Sequence, residues 1–441
     1  SEHVRAVLKR GSVIYLMQLG GFGLQFLSGL ILGRALGASE FGRYSLAVTI
    51  VIMLRIGAAL GLPMMLLKTV AIYTADSEWP RLRGLLIAGG LAIGAVALVI
   101  SAATGIVSGF IWPGPNSETT RLLWIALPLV LISPLLDALS SVIKGLHRQA
   151  LGQAPEFLRV LLYLFALVAI QLAVAGKLDA RSAMILRVAA DAAGLAAGFV
   201  LLWRVLPSQV LSAPPRFDFP AWRHGLLSFV AMDGLHLIFQ QIDVLMLGAM
   251  RPIADVGVFR MASTLTFVVL FASTLAGGTL NPIIVTAWSQ GRREYLQDIC
   301  VRVSRIGFLV SALAFLGLAA SIPVLIWILG HDFSGITLPI LILGAGHLVR
   351  AAMSVSPSIL LMTGGERVAA WGVAATAILN TALNFALIPL WGANGAALAT
   401  ATSTVALGIY YLVRAYQRTG IDGTLLGRHS PLARFISGPR A

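Results

Sequence analysis

Residues 32–47 read LGRALGASEFGRYSLA, and residues 247–262 read LGAMRPIADVGVFRMA. Both begin Leu-Gly, then run five residues, a small residue, an acid, an apolar residue, Gly, one residue and an aromatic. The offset of 215 sets Gly33 against Gly248, Glu40 against Asp255, Gly42 against Gly257 and Tyr44 against Phe259. A second pair, GLHR from Gly145 and GGER from Gly364, is offset by 219. Both shifts are close to half of the 441 residues, so the chain reads as an internal duplication.

What is duplicated follows from composition. The chain is 58% hydrophobic and 11% charged, with mean hydropathy +0.89. Soluble domains carry about 25% charged residues. The apolar runs are about 20 residues long, which suits helices crossing a bilayer rather than strands of a membrane barrel. Twelve spans are expected, at roughly 11–33, 46–67, 84–111, 121–143, 157–176, 183–206, 225–249, 258–288, 306–329, 336–362, 368–391 and 394–416. The fold class is therefore an all-α polytopic membrane protein of twelve helices. An even count per half returns the chain to the same side, so the two six-helix lobes form a parallel repeat with a pseudo-twofold axis along the membrane normal.

The net charge of +14 would suit nucleic acid, yet the basic residues sit in loops and read as topology signals. With the N-terminus inside, loop and flanking segments on the inner side hold 21 Lys and Arg, against 7 outside. That bias places both termini in the cytoplasm. The expected division is an N-lobe at 1–206, a Pro-rich cytoplasmic linker at 207–224, a C-lobe at 225–416 and a basic, mobile tail at 417–441. The single Cys300 excludes an internal disulfide and a cysteine-based metal site.

Polar residues inside the spans are expensive and mark candidate sites. In the seventh span Asp233, His236, Gln240 and Asp243 fall within about 80° of one helical face. The 215 offset maps them onto Gln18, Gly21, Gln25 and Ser28 of the first span. The stripe reads either as cavity lining or as interhelical hydrogen bonding. Arg55 and Arg350 lie at similar depth in the second and tenth spans. A pair of guanidinium groups there suits a phosphate or pyrophosphate; alternatively each is neutralised by a carboxylate such as Asp137, Asp191 or Asp233. Arg159 reads as snorkelling to the inner interface. Asn380 and Asn384, with Thr376 a turn earlier, either meet sugar hydroxyls or join helices. Asp233, Asp243 and Asp137 are candidates for a coupling proton or sodium ion. The sequence contains no GxxxxGK[ST] loop and no HExxH, so neither ATP hydrolysis nor a metal-dependent activity is expected of it, and the reading is a non-enzyme.

LGRALGASEFGRYSLA, QQIDVLMLGAMRPIADVGVFRMASTL and LNTALNFALIPLWGANGAALATATS resemble phrases of the polysaccharide-transporter branch of the MOP flippase superfamily, the Wzx-like flippases. The resemblance covers nearly the whole chain. It implies a MATE-like fold of two six-helix lobes around a central cavity. It also implies alternating-access transfer of an undecaprenyl-pyrophosphate-linked oligosaccharide from the inner to the outer leaflet of the bacterial inner membrane. Arg55 and Arg350 would then hold the pyrophosphate, and Gln18, Gln25, His236, Gln240, Asn380 and Asn384 would meet the sugars. Expected partners are the lipid-linked substrate, membrane lipid and proteins of polysaccharide polymerisation; no cofactor is expected beyond the coupling ion. Three other readings stay open: a lipid II flippase, a MATE-like ion-coupled exporter, and a membrane scaffold that transports nothing.

Overall fold

Every regular element among the described residues is helical. The computed structural model describes residues 2–59, 61–111, 117–173, 178–278 and 280–427; side chains are described for these except 2–15, 109–111, 223–233, 236 and 272–278. In chain order the helices are α1 (Glu2–Ala59), α2 (Leu62–Ala75), α3 (Trp79–Ile111), α4 (Glu118–Ala126), α5 (Pro128–Gly145), α6 (Gln149–Ala173), α7 (Ala180–Val205), α8 (Ser208–Ser212) and α9 (Phe219–Met250). They continue as α10 (Ile253–Gly278), α11 (Asn281–Ser289), α12 (Arg293–Leu329), a 3₁₀ turn (His331–Ile336), α13 (Thr337–Ala351), α14 (Ser356–Met362) and α15 (Glu366–Thr419).

Nine helices among the described residues are long and apolar enough to cross a membrane, where the sequence reading expected twelve. The difference has a physical origin. Leu16–Ala59 holds 44 residues and Glu366–Thr419 holds 54. Straight, they would reach about 66 and 81 Å at 1.5 Å per residue, more than twice a hydrocarbon core of about 30 Å. Each contains one break, at Gly37 (φ 69°, ψ 172°) and at Gly392 (φ 53°, ψ −129°). Each is thus two helices in direct succession. In α9 the described apolar stretch is Leu237–Met250, short of a full crossing.

The repeat motif encloses one of these turns. Gly37 stands 215 residues before Pro252. The first copy turns on a glycine in the left-handed region, the second on a proline at the mouth of α10, where a missing N–H costs nothing. The acid of each copy is held by an arginine of the same turn, Glu40 by Arg43 and Asp255 by Arg251 at 3.0 Å. The motif's glutamate and aspartate therefore serve local structure.

The chain divides into two compact units, Ser1–Leu237 and Ile238–Ala441. In the first unit α1 lies against α4, α5 and α6, and α5 against α2, α6 and α7. In the second, α10 lies against α12 and α13, and α15 against α13 and α14. Large apolar side chains on the outer helix faces are open, as lipid-facing residues are: Leu91 and Val99 are each 69% exposed.

The segment expected as a linker is held tightly by the first unit. Arg83 Nη1 donates to the carbonyls of Leu211 and Ala213 at 2.6 and 2.7 Å. Arg216 N–H donates to Pro80 O at 2.9 Å. The approach is so close that a Cβ on Gly84 would sit 2.0 Å from Arg216 O, which only glycine allows. Val210 and Trp222 are buried in a cluster with Leu66, Val70, Tyr73 and Leu82, and Trp222 Nε1 donates to Tyr73 Oη at 3.1 Å.

The start of the expected mobile tail is also folded. Gln297 Nε2 donates to Asp422 O and its Oε1 accepts from Asp422 N–H, both at 2.8 Å. Ser304 Oγ donates to Gly423 O, and Leu425 N–H donates to Ala352 O. Residues 420–427 thus strap α12 to the turn between α13 and α14; residues 428–441 lie outside the described residues.

Candidate functional site

A helix that breaks and reverses brings distant residues to one depth. Asn384 and Thr400 lie eight residues either side of Gly392, so antiparallel limbs of α15 place both about 12 Å from the bend. Asp243 lies eight residues before Arg251, the last residue before the Pro252 turn, and so reaches the same level. The bend itself is held by that neighbouring turn. A Cβ on Gly392 would meet Asp255 Oδ2 at 2.5 Å and Arg251 Nε at 3.1 Å.

At that level the second unit buries a carboxylate. Asp243 is 3% exposed. Thr400 Oγ1 donates to its Oδ2 at 2.7 Å, and Asn384 Nδ2 donates to its Oδ1. Asn384 Nδ2 also faces Asn380 Oδ1 at 3.0 Å. Asn380 and Asn384 are fully buried, and among the described residues Asn380 Nδ2 and Asn384 Oδ1 have no hydrogen-bond partner. Among the described residues the ion pairs leave Asp243 without a Lys, Arg or His. A buried carboxylate costs several kcal/mol unless paired, and the neutral donors here offset only part of that. The cluster has three further side-chain oxygens, Asn380 Oδ1, Asn384 Oδ1 and Thr400 Oγ1. Oxygen donors of this kind suit a hard cation.

Two of these groups can change from donor to acceptor. The Thr400 hydroxyl also lies 2.9 Å from Ala396 O. Turning its single proton there leaves a lone pair toward Asp243. Inverting the Asn384 amide would present its unpartnered Oδ1 to the same point. The repeat counterpart of Asp243 in the first unit is Ser28, whose hydroxyl closes onto Leu24 O of its own helix at 2.8 Å; the first unit has no acid there.

In the first unit Arg55 of α1 and Asp137 of α5 form an ion pair, Nη2 to Oδ2 3.1 Å, each side chain 26% exposed. A proposed anion ligand and a proposed ion-coupling acid are thus set on each other. A second group is formed by α6 and α7. Arg159 Nη1 and Arg187 Nε each lie 3.2 Å from Asp191, one on each carboxylate oxygen. The Arg187 guanidinium also stands 5.4 Å over the Tyr163 ring. Tyr163 Oη donates to Ala183 O at 3.3 Å and lies 2.8 Å from Tyr44 Oη. Arg159 is therefore bound to an interior carboxylate rather than reaching to the interface. Two cations on one carboxylate leave this group one positive charge in excess.

Arg350 differs from Arg55. It is partly buried near the end of α13, its Cγ lying 3.7 Å from where a Cβ on Gly408 of α15 would stand. No ion pair to it is found among the described residues. One turn earlier, His347 Nδ1 is buried without a hydrogen-bond partner among the described residues.

Of the other sequence candidates, Gln18, Gln25 and Gln240 are exposed on α1 and α9, and the side chains of Asp233 and His236 lie outside the described residues. The structure thus brings Asp243, Asn380 and Asn384 together, adds Thr400, and joins Arg55 to Asp137. Arg187, Tyr44 and Tyr163 are not among the site residues expected from sequence, where Tyr44 appears only as the aromatic of the repeat, although the i, i+4 spacing of Arg187 and Asp191 is a signal.

The family whose sequence model is described as "Polysaccharide biosynthesis protein" matches residues 7–288. No curated protein matches the chain in sequence. Among solved structures, a multidrug resistance MATE family transporter of the MOP superfamily, in its inward-facing conformation, is 12% identical with TM-score 0.73, over 90% of this chain and 94% of that one. The lipid II flippase MurJ, in an inward closed conformation, is 13% identical with TM-score 0.70, over 90% and 86%. A MOP superfamily transporter from Pyrococcus furiosus is 8% identical with TM-score 0.56, over 93% and 95%. The chain has the fold of these transporters.

Proposed function

The chain belongs to the polysaccharide biosynthesis protein family, and from that premise we propose that it is a transporter, not an enzyme, which flips undecaprenyl-pyrophosphate-linked oligosaccharide. Transfer runs from the inner to the outer leaflet of a bacterial inner membrane by alternating access, with both termini cytoplasmic. Proteins of polysaccharide polymerisation take the product.

Arg350 is the observation that carries this reading. It is a guanidinium on an apolar helix with no carboxylate paired to it among the described residues, whereas Arg55 is matched by Asp137. A cation in that position favours an anionic guest, and a pyrophosphate accepts an arginine bidentately. A cationic drug would be repelled, which counts against the exporter reading.

Asp243 supplies the second half of the proposal. A sodium ion entering beside its carboxylate would be met by Asn380, Asn384 and Thr400 once the hydroxyl and amide turn as described. The ion cancels the buried charge, so occupied and empty states of the second unit differ in electrostatic cost. The membrane potential supplies about 2.3 kcal/mol per charge per 100 mV, enough for one ion to bias a transport cycle.

The test is leaflet-resolved flipping of a fluorescent undecaprenyl-pyrophosphate oligosaccharide in proteoliposomes. Arg350→Ala should slow flipping about tenfold to a hundredfold, since a hydrogen bond to a charged group contributes about 1.5–3 kcal/mol, while thermal stability stays unchanged. Unimpaired flipping by Arg350→Ala would remove the anion-site assignment. Efflux of a cationic dye with no lipid transfer would replace the flippase by an exporter.

A further inference from the structure

The stretch from the last turn of α7 to the first residue of α9 carries apolar and cationic side chains that lie open at the surface. Trp203, Phe217 and Phe219 are 72%, 47% and 61% exposed, and Leu211 is 43% exposed. Phe217 and Phe219 stack with centroids 5.8 Å apart and planes 6° from parallel. Between them Asp218 turns inward to Arg81, 3.7 Å away. Arg204 and Arg216 are exposed. The side chains thus sort by character: Val210, Asp218 and Trp222 face the unit, Phe219 stands edge-on to Trp222 at 5.4 Å with most of its ring open, and Trp203, Leu211, Phe217, Arg204 and Arg216 are exposed.

The position of this face is fixed by what holds it. The segment leaves the end of one membrane-crossing helix, Ala180–Val205, and is clamped to the start of another, Trp79–Ser108. Pro80 O, Arg83 and Gly84 make that clamp. Both attachment points are ends of helices long and apolar enough to cross a membrane, so the segment is tied at the level where such helices would leave the bilayer. Aromatic rings with a polar or charged neighbour are the residues that settle at headgroup level.

We propose that residues 203–219 are an interfacial anchor of the first unit: Trp203, Leu211, Phe217 and Phe219 lodge at the boundary of headgroups and acyl chains, and Arg204 and Arg216 meet the phosphates of anionic phospholipid. The occupant is lipid because the face is open, amphipathic, basic and held at membrane depth; a folded protein would need a larger complementary surface. The inference is independent of what the protein transports.

The sole cysteine makes the test direct. Cys300 is fully buried, so Phe217→Cys and Phe219→Cys in a Cys300→Ala background each accept one nitroxide label. The labelled full-length proteins are reconstituted in mixed phosphatidylethanolamine–phosphatidylglycerol vesicles. Collision with oxygen, which prefers lipid, is compared with collision with a water-soluble nickel chelate. Arg292→Cys, in an exposed turn, gives the aqueous reference, and Phe165→Cys, 65% exposed on α6, gives the bilayer reference. The expected oxygen-to-nickel ratio at 217 and 219 is several-fold above the aqueous reference and below the bilayer one. With Arg204→Gln and Arg216→Gln together, the labels should become shallower in anionic vesicles but not in phosphatidylcholine alone. Ratios at 217 and 219 equal to the aqueous reference overturn the proposal. Protection from both reagents also overturns it, because a protein surface would then cover the face.

Discussion

Replacing Asp243 by Asn keeps the shape of the cluster and removes its charge. Sodium at one hundred times its dissociation constant stabilises a protein that binds it only when folded by about 2.7 kcal/mol. For a unit the size of Ile238–Ala441 that corresponds to roughly 5–10 °C in Tm. The wild-type protein in detergent should therefore melt several degrees higher in sodium chloride than in choline chloride, and Asp243→Asn should show no such difference. Without sodium, the variant should be at least as stable as wild type, because a carboxylate buried without a cation is replaced by a neutral amide. Its flipping rate should cease to respond to an imposed sodium gradient. The assay is a melting series across sodium concentrations, paired with flipping under sodium and proton gradients. Equal sodium stabilisation of wild type and Asp243→Asn would refute the site. Flipping that follows only the proton gradient would refute sodium as the ion.

Three further outcomes follow from the geometry. Thr400→Val deletes the hydroxyl that donates to Asp243 at 2.7 Å and should cost about 1–2 kcal/mol in stability while weakening the sodium response; a titration of Tm against sodium reads both. Gly392→Ala places a methyl 2.5 Å from Asp255 Oδ2 at φ 53° and should destabilise by about 1–3 kcal/mol, seen as a lower Tm; wild-type stability would mean the bend relaxes freely. Arg55→Met strands Asp137 and should cost about 1–3 kcal/mol, less than a fully buried pair because each partner is 26% exposed. Arg55→Met with Asp137→Leu should recover most of that loss in a double-mutant cycle on Tm.

Hydropathy and the 215-residue repeat carried the fold, because bilayer thickness alone dictates span length and the match of LGRALGASEFGRYSLA to LGAMRPIADVGVFRMA needs no coordinates. Which polar residues meet was much less legible. Asp243 was expected to serve ion coupling and the Asn380–Asn384 pair sugar binding or helix joining, yet 141 residues divide Asn384 from Asp243 and 157 divide Thr400 from it. No local period reports which helix face turns to which neighbour. The two candidate arginines looked alike in sequence, and only the register of α5 distinguishes them, by presenting Asp137 to Arg55. Residues 207–224 and 417–441 read as linker and tail because Pro and polar residues are frequent in the first and Gly, Pro and Arg recur in the second. Their fixation comes from single side chains elsewhere, Arg83 and Gln297, which composition does not reveal.

The return of residues 420–427 also bears on biogenesis. Gln297 closes on Asp422 across 125 residues, so this clasp forms only after the chain through Asp422 has left the ribosome. Until then Gln297 and Ser304, both buried in the finished unit, face unfilled space. A chain interrupted before Ile421 would insert its helices normally yet display two unmet polar groups on α12.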